Sequence, residues 1–61
     1  MNNTGFKDVN GVDIKLGDRV LYKGETFDVE VNPFAERVVI DNDYGQCWLV
    51  DVYKECEVVT A

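Results

Sequence analysis

The 61 residues contain no histidine and no serine. Those two absences exclude Ser-His-Asp and Cys-His catalysis, since both need an imidazole base, and leave carboxylates, Lys, Tyr and Thr as the reactive groups. Cysteine is nearly as scarce: Cys47 and Cys56 are the only two, nine positions apart and not in a Cys-x-x-Cys pair, too few for a zinc site. They read as small buried hydrophobes with reduced thiols, a disulfide between them being the alternative. Positive charge is thin as well, with 6 Lys and Arg against 12 Asp and Glu and a net charge of −6. Lys7, Lys15, Arg19, Lys23, Arg37 and Lys54 never cluster, so the chain does not read as a direct binder of nucleic acid, whose phosphates call for grouped Lys and Arg. No apolar run approaches the roughly 20 residues needed to span a bilayer. Met1-Asn2-Asn3-Thr4 lacks the charged and apolar regions of a signal peptide. The expected setting is the cytoplasm, with no membrane contact, no cofactor, no metal and no catalytic residue.

What is present is a succession of short extended runs separated by turn residues. Asn10-Gly11 readily takes positive φ at both central positions of a type I′ turn, which predicts a tight reversal between 6–9 and 12–15. Gly17-Asp18 opens Arg19-Val20-Leu21-Tyr22, a strand closed by Lys23-Gly24. Over 26–31, Phe27, Val29 and Val31 share one face while Asp28 and Glu30 share the other, the period-2 pattern of a half-buried strand. Pro33 ends it, since proline cannot donate to a ladder, and a loop over 32–36 leads to a strand over 37–41. Asp41-Asn42-Asp43-Tyr44-Gly45 turns the chain into a strand over 46–50. Residues 51–55 lack strand alternation and predict one helical turn before a last strand over 56–60. Residues 1–4 read as a polar, frayed start.

The string TGFKDVNGVDIKLGDRVLYKG at 4–24, with YKECEVV at 53–59, resembles the YopX-like proteins of phages and prophages. Their opening fixes an Asn-Gly and a Gly-Asp turn at set spacing and their final strand is CEVI-like. The resemblance covers about half of the chain at its two ends. It implies an SH3-like barrel, a phage or prophage origin and a bacterial host cytoplasm, and it assigns no catalytic residue. The chain departs from the family in the shortness of its middle.

Such a short chain has room for a single domain, 1–61, which buries only about 60% of its unfolded surface. Sequential strands, short turns and no amphipathic helix predict an all-β fold: one five-stranded, partly open meander of SH3-like barrel type, with at most one short helical turn before the last strand. The expected core is Phe6, Ile14, Val20, Tyr22, Phe27, Val29, Val31, Val38, Ile40, Cys47, Leu49, Cys56 and Val58.

Two constellations bear on function once the Asp41–Gly45 cluster is set aside as a calcium loop. An EF-hand needs glycine at its sixth position and glutamate at its twelfth, and counting from Asp41 gives Gln46 and Val52. The first constellation follows from register. If the hairpin after Ile40 closes with an even-numbered loop, Asp41 pairs with Gln46, Ile40 with Cys47, Val39 with Trp48 and Val38 with Leu49. Trp48 and Val39 then face away from the core, and Leu21 and Val59 have the same parity. These four predict an apolar patch for a protein partner or a second copy, rimmed by Arg19, Arg37, Asp41, Asp51 and Glu57; burial under the loop over 32–36 or the N-terminal segment is the competing placement. The second is acidic: Asp41, Asp43, Asp51, Glu55 and Glu57 as the charges of a nucleic-acid mimic that would occupy a DNA- or RNA-binding protein. The expected function is thus a small non-enzymatic interaction module, with mimicry as the alternative.

Overall fold

The computed structural model describes residues 3–59. They form seven strands, β1 Asn3–Lys7, β2 Asp13–Lys15, β3 Arg19–Tyr22, β4 Glu25–Asn32, β5 Arg37–Asn42, β6 Gly45–Trp48 and β7 Glu57–Val59. Between β6 and β7 a four-residue helix, α1 Leu49–Val52, runs directly into a 3₁₀ turn, Tyr53–Glu55. The class is therefore all-β with one short helical connection, two residues earlier in onset than the expected turn over 51–55. The strands make a five-stranded sheet in the order β6-β5-β4-β3-β7 and a separate ribbon of β1 and β2. These sheets are not closed into a barrel.

The turns follow from local chemistry, though not always where the dipeptides suggest. Tyr22 pairs with Glu25, and the intervening Lys23 and Gly24 both have positive φ, 52° and 81°, which is the type I′ geometry that matches strand twist. The I′ turn expected at Asn10-Gly11 is absent. Of that pair only Gly11 has positive φ, and β1 and β2 part after Lys7 and Asp13 to leave a wider loop arranged by Asp8. Lys23 is a residue with a Cβ held in the left-handed region, at a cost of about 1 kcal/mol that Asn largely avoids. Lys23→Asn is accordingly expected to raise the urea midpoint by the equivalent of about 0.5–1 kcal/mol.

At either end of β5 an asparagine builds the turn. Asn32 Oδ1 accepts from the N–H groups of Phe34 and Ala35, and Asn42 Oδ1 accepts from those of Tyr44 and Gly45. Each side chain thereby satisfies turn donors that no strand reaches. Between β2 and β3, Gly17 (φ 89°) and Asp18 together oppose the single residue Val29, exchanging both of its backbone hydrogen bonds. This bulge bends the sheet and lets the eight-residue β4 serve both halves of it.

The core lies on one face of the five-stranded sheet. Ile14, Val20, Phe27, Val29, Ile40, Leu49, Val52 and Cys56 form one buried cluster, with Phe6, Leu16, Tyr22, Val38, Cys47, Tyr53 and Val58 packed against it. The ribbon and the helical connection close it from the side, through Phe6 on Tyr53 at 4.9 Å between ring centroids. Twelve of the thirteen expected core residues sit in or against this cluster; Val31 does not. Its parity is inward, but it lies near the end of β4 beyond the reach of β3 and is 47% exposed. Val52 is the converse. It occupies the helical connection, where a period-2 reading assigns no inward face, and it is buried.

Asn3 and Thr4 belong to β1 and are not frayed: Thr4 Oγ1 donates to the Ile14 carbonyl at 2.7 Å and ties the strand to the core. Met1, Asn2, Thr60 and Ala61 lie outside the described residues. Among the described residues no helix is long and apolar enough to cross a membrane.

Candidate functional site

The alternation of β3 to β7 divides the large sheet into the core face and an outer face. On the outer face stand Arg19 and Leu21 of β3, Asp28 and Glu30 of β4, Arg37, Val39 and Asp41 of β5, Gln46 and Trp48 of β6, and Glu57 and Val59 of β7. The expected hairpin register holds for three of its four pairs, Asp41 with Gln46, Ile40 with Cys47 and Val39 with Trp48. The fourth, Val38 with Leu49, does not form, because β6 ends at Trp48 and Leu49 opens α1.

Register alone does not make the expected patch. Trp48 is 40% exposed, and Arg37 lies over its ring with the guanidinium carbon 5.0 Å from the centroid. Val39 faces outward, yet it is only 1% exposed. Its cross-strand neighbours are Trp48 on one side and Glu30 on the other, and Arg37 and Asp41 flank it along β5. These neighbours surround Val39, and the loop residues Pro33 and Phe34 line the same concavity, so it is covered although it faces away from the core. Val39 is thus a floor for Trp48 and not a contact residue, which corrects its expected role. Leu21 and Val59 are 38% and 41% exposed but stand on β3 and β7. β4 and β5 intervene between β3 and β6, which at the usual strand spacing is roughly 14 Å of sheet. The structure therefore joins Trp48, Arg37 and Val39, and leaves Leu21 and Val59 as a separate pair.

What fills the interval is negative charge. Asp28 and Asp41 are directly opposed across β4 and β5, and Glu30 stands beside them. The Asp41 carboxyl, within hydrogen-bond reach of Glu30 and repelling its charge, holds the Glu30 carboxyl above the usual range; slight burial and Asp28 add to this. Arg19 reaches only Asp28, at 3.4 Å. The acidic set expected from the sequence is dispersed: Asp41 is in this row, Asp43 is at the β5–β6 turn, Asp51 and Glu55 are in the helical connection, and Glu57 is across the sheet on β7. The gathered acids are Asp28, Glu30 and Asp41, and the alternation of β4 already puts two of them on one face. Because Glu30 and Asp41 are close enough to repel one another, Glu30→Gln is expected to raise the urea midpoint near neutral pH. The gain should vanish on acidification: a carboxyl with a raised folded pKa destabilises at pH above that pKa and ceases to do so below its unfolded value, about 4.3.

The two edges of the sheet differ. β7 presents its outer edge to Asp8, which is 6% exposed. Asp8 Oδ2 accepts from the Val58 N–H at 2.8 Å, while Oδ1 accepts from the N–H groups of Asn10 and Val12 at 2.9 and 2.8 Å. The Val9 N–H donates to the Cys56 carbonyl at 2.9 Å along the same edge. Asp8 and Val9 thus take the ladder positions that another strand would fill. Burial by itself would raise the Asp8 carboxyl, but donation from the Val58, Val12, Asn10 and Gly11 N–H groups outweighs it and the group is held below its ordinary value. Sequence reasoning missed Asp8. Its signal was an aspartate two residues before Asn-Gly, the spacing of an Asx turn.

The β6 edge has no such cover. The two-residue loop closes on the hydrogen-bonded pair of Asn42 and Gly45, so by alternation Ile40 and Cys47 also exchange hydrogen bonds, and Gln46 and Trp48 direct their backbone groups away from β5. Among the described residues none donates to or accepts from the outward backbone groups of Gln46.

Both cysteines are free, Cys56 fully buried and Cys47 half-buried. Burial above all, with Cys47, Glu55 and Asp8 nearby, pushes the Cys56 thiol up to about 11. A thiol reagent at neutral pH should therefore label Cys47 at a measurable rate in the native protein and Cys56 only on unfolding. An open concavity between the β3–β4 and β5–β6 turns is lined by Arg19, Glu25, Thr26, Asp28, Asn42 and Tyr44. Its polar groups pair with one another, Arg19 with Asp28 and Asn42 Nδ2 with Glu25 and the Thr26 carbonyl. No protein-family model, curated protein or solved structure matches this chain.

Proposed function

We propose that the chain is a small non-enzymatic protein-interaction module of SH3-like barrel type, related to the YopX-like proteins of phages and prophages and working in a bacterial cytoplasm. The barrel reading rests on the path of β3 to β7. Four strands follow one another in a meander, a helical connection comes next, and the last strand returns to pair with the first, Val20 beside Val58. The YopX-like reading rests on the TGFKDVNG opening, in which Asp8 is the buried carboxylate that fastens the opening segment to β7.

The interaction reading is carried by one observation: a half-exposed tryptophan, stacked by an arginine, standing on an uncapped sheet edge. Trp and Arg are enriched among the few residues that dominate interface energy, and a flat ring backed by a filled floor, here Val39, loses little entropy on contact. Affinity capture from a bacterial lysate with the wild type and Trp48→Ala side by side, read by mass spectrometry, tests it. A partner retained by the wild type and lost by the mutant is expected. Equal retention by both would remove Trp48 from the working surface.

A second reading, nucleic-acid mimicry, is favoured by the Asp28, Glu30 and Asp41 row. Mimicry predicts capture that weakens steeply as salt rises, whereas a Trp-anchored contact should persist.

A further inference from the structure

We infer that the partner segment is an extended, basic stretch of polypeptide that adds to β6 as an additional strand. The inference rests on the interaction reading above and names its occupant. Three observations converge on β6. The outward N–H and C=O of Gln46 and the outward N–H of Trp48 form a short template for main-chain pairing, while the other sheet edge is closed by the Asp8 carboxylate. The faces of an added strand would then be set by alternation: every second side chain lies beside Gln46 and Trp48 on the outer face, and the others lie beside the half-buried Cys47. Acids outnumber cations around that position, where the one nearby cation among the described residues, Arg37, is held over the Trp48 ring. Asp43 and Asp51 stand just beyond the two ends of β6, and Asp41 is directly opposite Gln46, with Glu30 behind it. Among the described residues no cation is paired with Glu30 or Asp41, which crowd one another, so a Lys or Arg from the incoming strand would relieve a repulsion already present. A second copy of this chain, at net charge −6, would add to that repulsion.

The test uses an acetylated and amidated peptide of alternating Lys and Val, titrated into the intact protein. The probe is read through the Trp48 fluorescence, which is unambiguous because the chain has one tryptophan, and through the backbone amide resonances. Binding should shift the Gln46 and Trp48 amides most and slow their exchange. N-methylation of alternate peptide amides, on the edge that pairs, should weaken binding by about tenfold or more, while methylation of the opposite edge should not. Replacing Lys by Glu in the peptide should abolish binding, and Asp41→Asn in the protein should weaken it severalfold. Gln46→Pro removes an outward N–H without touching the β5 ladder; the methylated peptides make the same test with the protein unaltered. Several results overturn the inference: equal affinity for both methylated peptides, which marks charge attraction alone; perturbations centred away from β6; or concentration-dependent shifts of the Gln46 and Trp48 amides without peptide, which assign the edge to a second copy. If the peptide fails to bind while Trp48→Ala still abolishes lysate capture, the strand-addition inference falls and the interaction reading stands.

Discussion

Asp8→Asn is expected to remove most of the stability of this domain. The substitution keeps the shape and the acceptor toward Asn10 and Val12, but it sets an amide NH₂ against the Val58 N–H, so two donors face each other in a buried site. Losing a charge-assisted hydrogen bond and stranding a buried donor together cost about 2–4 kcal/mol. A single core of this size rarely supplies more than about 3–5 kcal/mol in total. Circular dichroism and urea titration at neutral pH should find the variant largely unfolded, or folded with a midpoint near zero denaturant. Asp13→Asn is the control: Asp13 also carries a lowered carboxyl, held by its hydrogen bond and charge attraction to Lys7 at 2.7 Å, but it is solvent-exposed. A surface ion pair of this kind is screened by water and contributes little, so Asp13→Asn should leave the urea midpoint nearly unchanged.

Acid should reproduce the Asp8→Asn result. A group whose folded pKa lies below its unfolded value, about 3.9 for aspartate, contributes stability above that value, and the contribution is lost as pH falls through the folded pKa. The wild type should therefore lose stability below about pH 4, falling toward the level that Asp8→Asn shows at neutral pH. Relief at Glu30 acts in the opposite direction over the same range, so the limb of Glu30→Gln should be steeper than that of the wild type.

The second large effect is on binding and leaves the fold in place. Trp48→Ala should lower the urea midpoint by the equivalent of about 1–2 kcal/mol, less than the roughly 3–5 kcal/mol typical of a buried aromatic, because the ring is already 40% in water and its main structural duty is to roof Val39. Partner affinity should fall by about 2 kcal/mol or more, some thirtyfold, if the ring anchors the interface. Sedimentation and capture with the folded mutant separate the two readouts. A mutant that unfolds would place Trp48 in the core, and one that folds and binds as before would move the site elsewhere.

The legible part of the fold was that governed by alternation and by local turn chemistry. Strands β3, β4 and β5 and the β5–β6 register follow from period-2 patterning, because a one-residue slip would expose Val29, Ile40 and Cys47 together. Position along and beyond a strand was harder to read. Alternation assigns Val31 inward and Val39 outward, and it is right about direction in both cases. It carries no information on what lies above each face: Val31 runs past the end of β3 and is uncovered, whereas Val39 is roofed by its neighbours, with Pro33 and Phe34 beside them. Asn10-Gly11 misled for a related reason. The local preference for a type I′ turn is worth less than three hydrogen bonds to the Asp8 carboxylate, which set the loop through a partner strand fifty residues away. For the surface, sequence parity found Trp48 and its outward aim but merged it with Leu21 and Val59, since parity carries no distance: β4 and β5 stand between Leu21 and Trp48, and β7 puts Val59 beside β3.

The asymmetry of the sheet edges is the feature on which both the stability and the binding claims depend, and amide hydrogen exchange followed by NMR reads it directly. The Val58 amide, donating to Asp8, should be protected nearly to the level of global unfolding, and the Gln46 and Trp48 amides on the uncapped edge should exchange close to the rate of an open chain. Protection of Gln46 and Trp48 in the free monomer, or rapid exchange at Val58 under native conditions, would contradict the account.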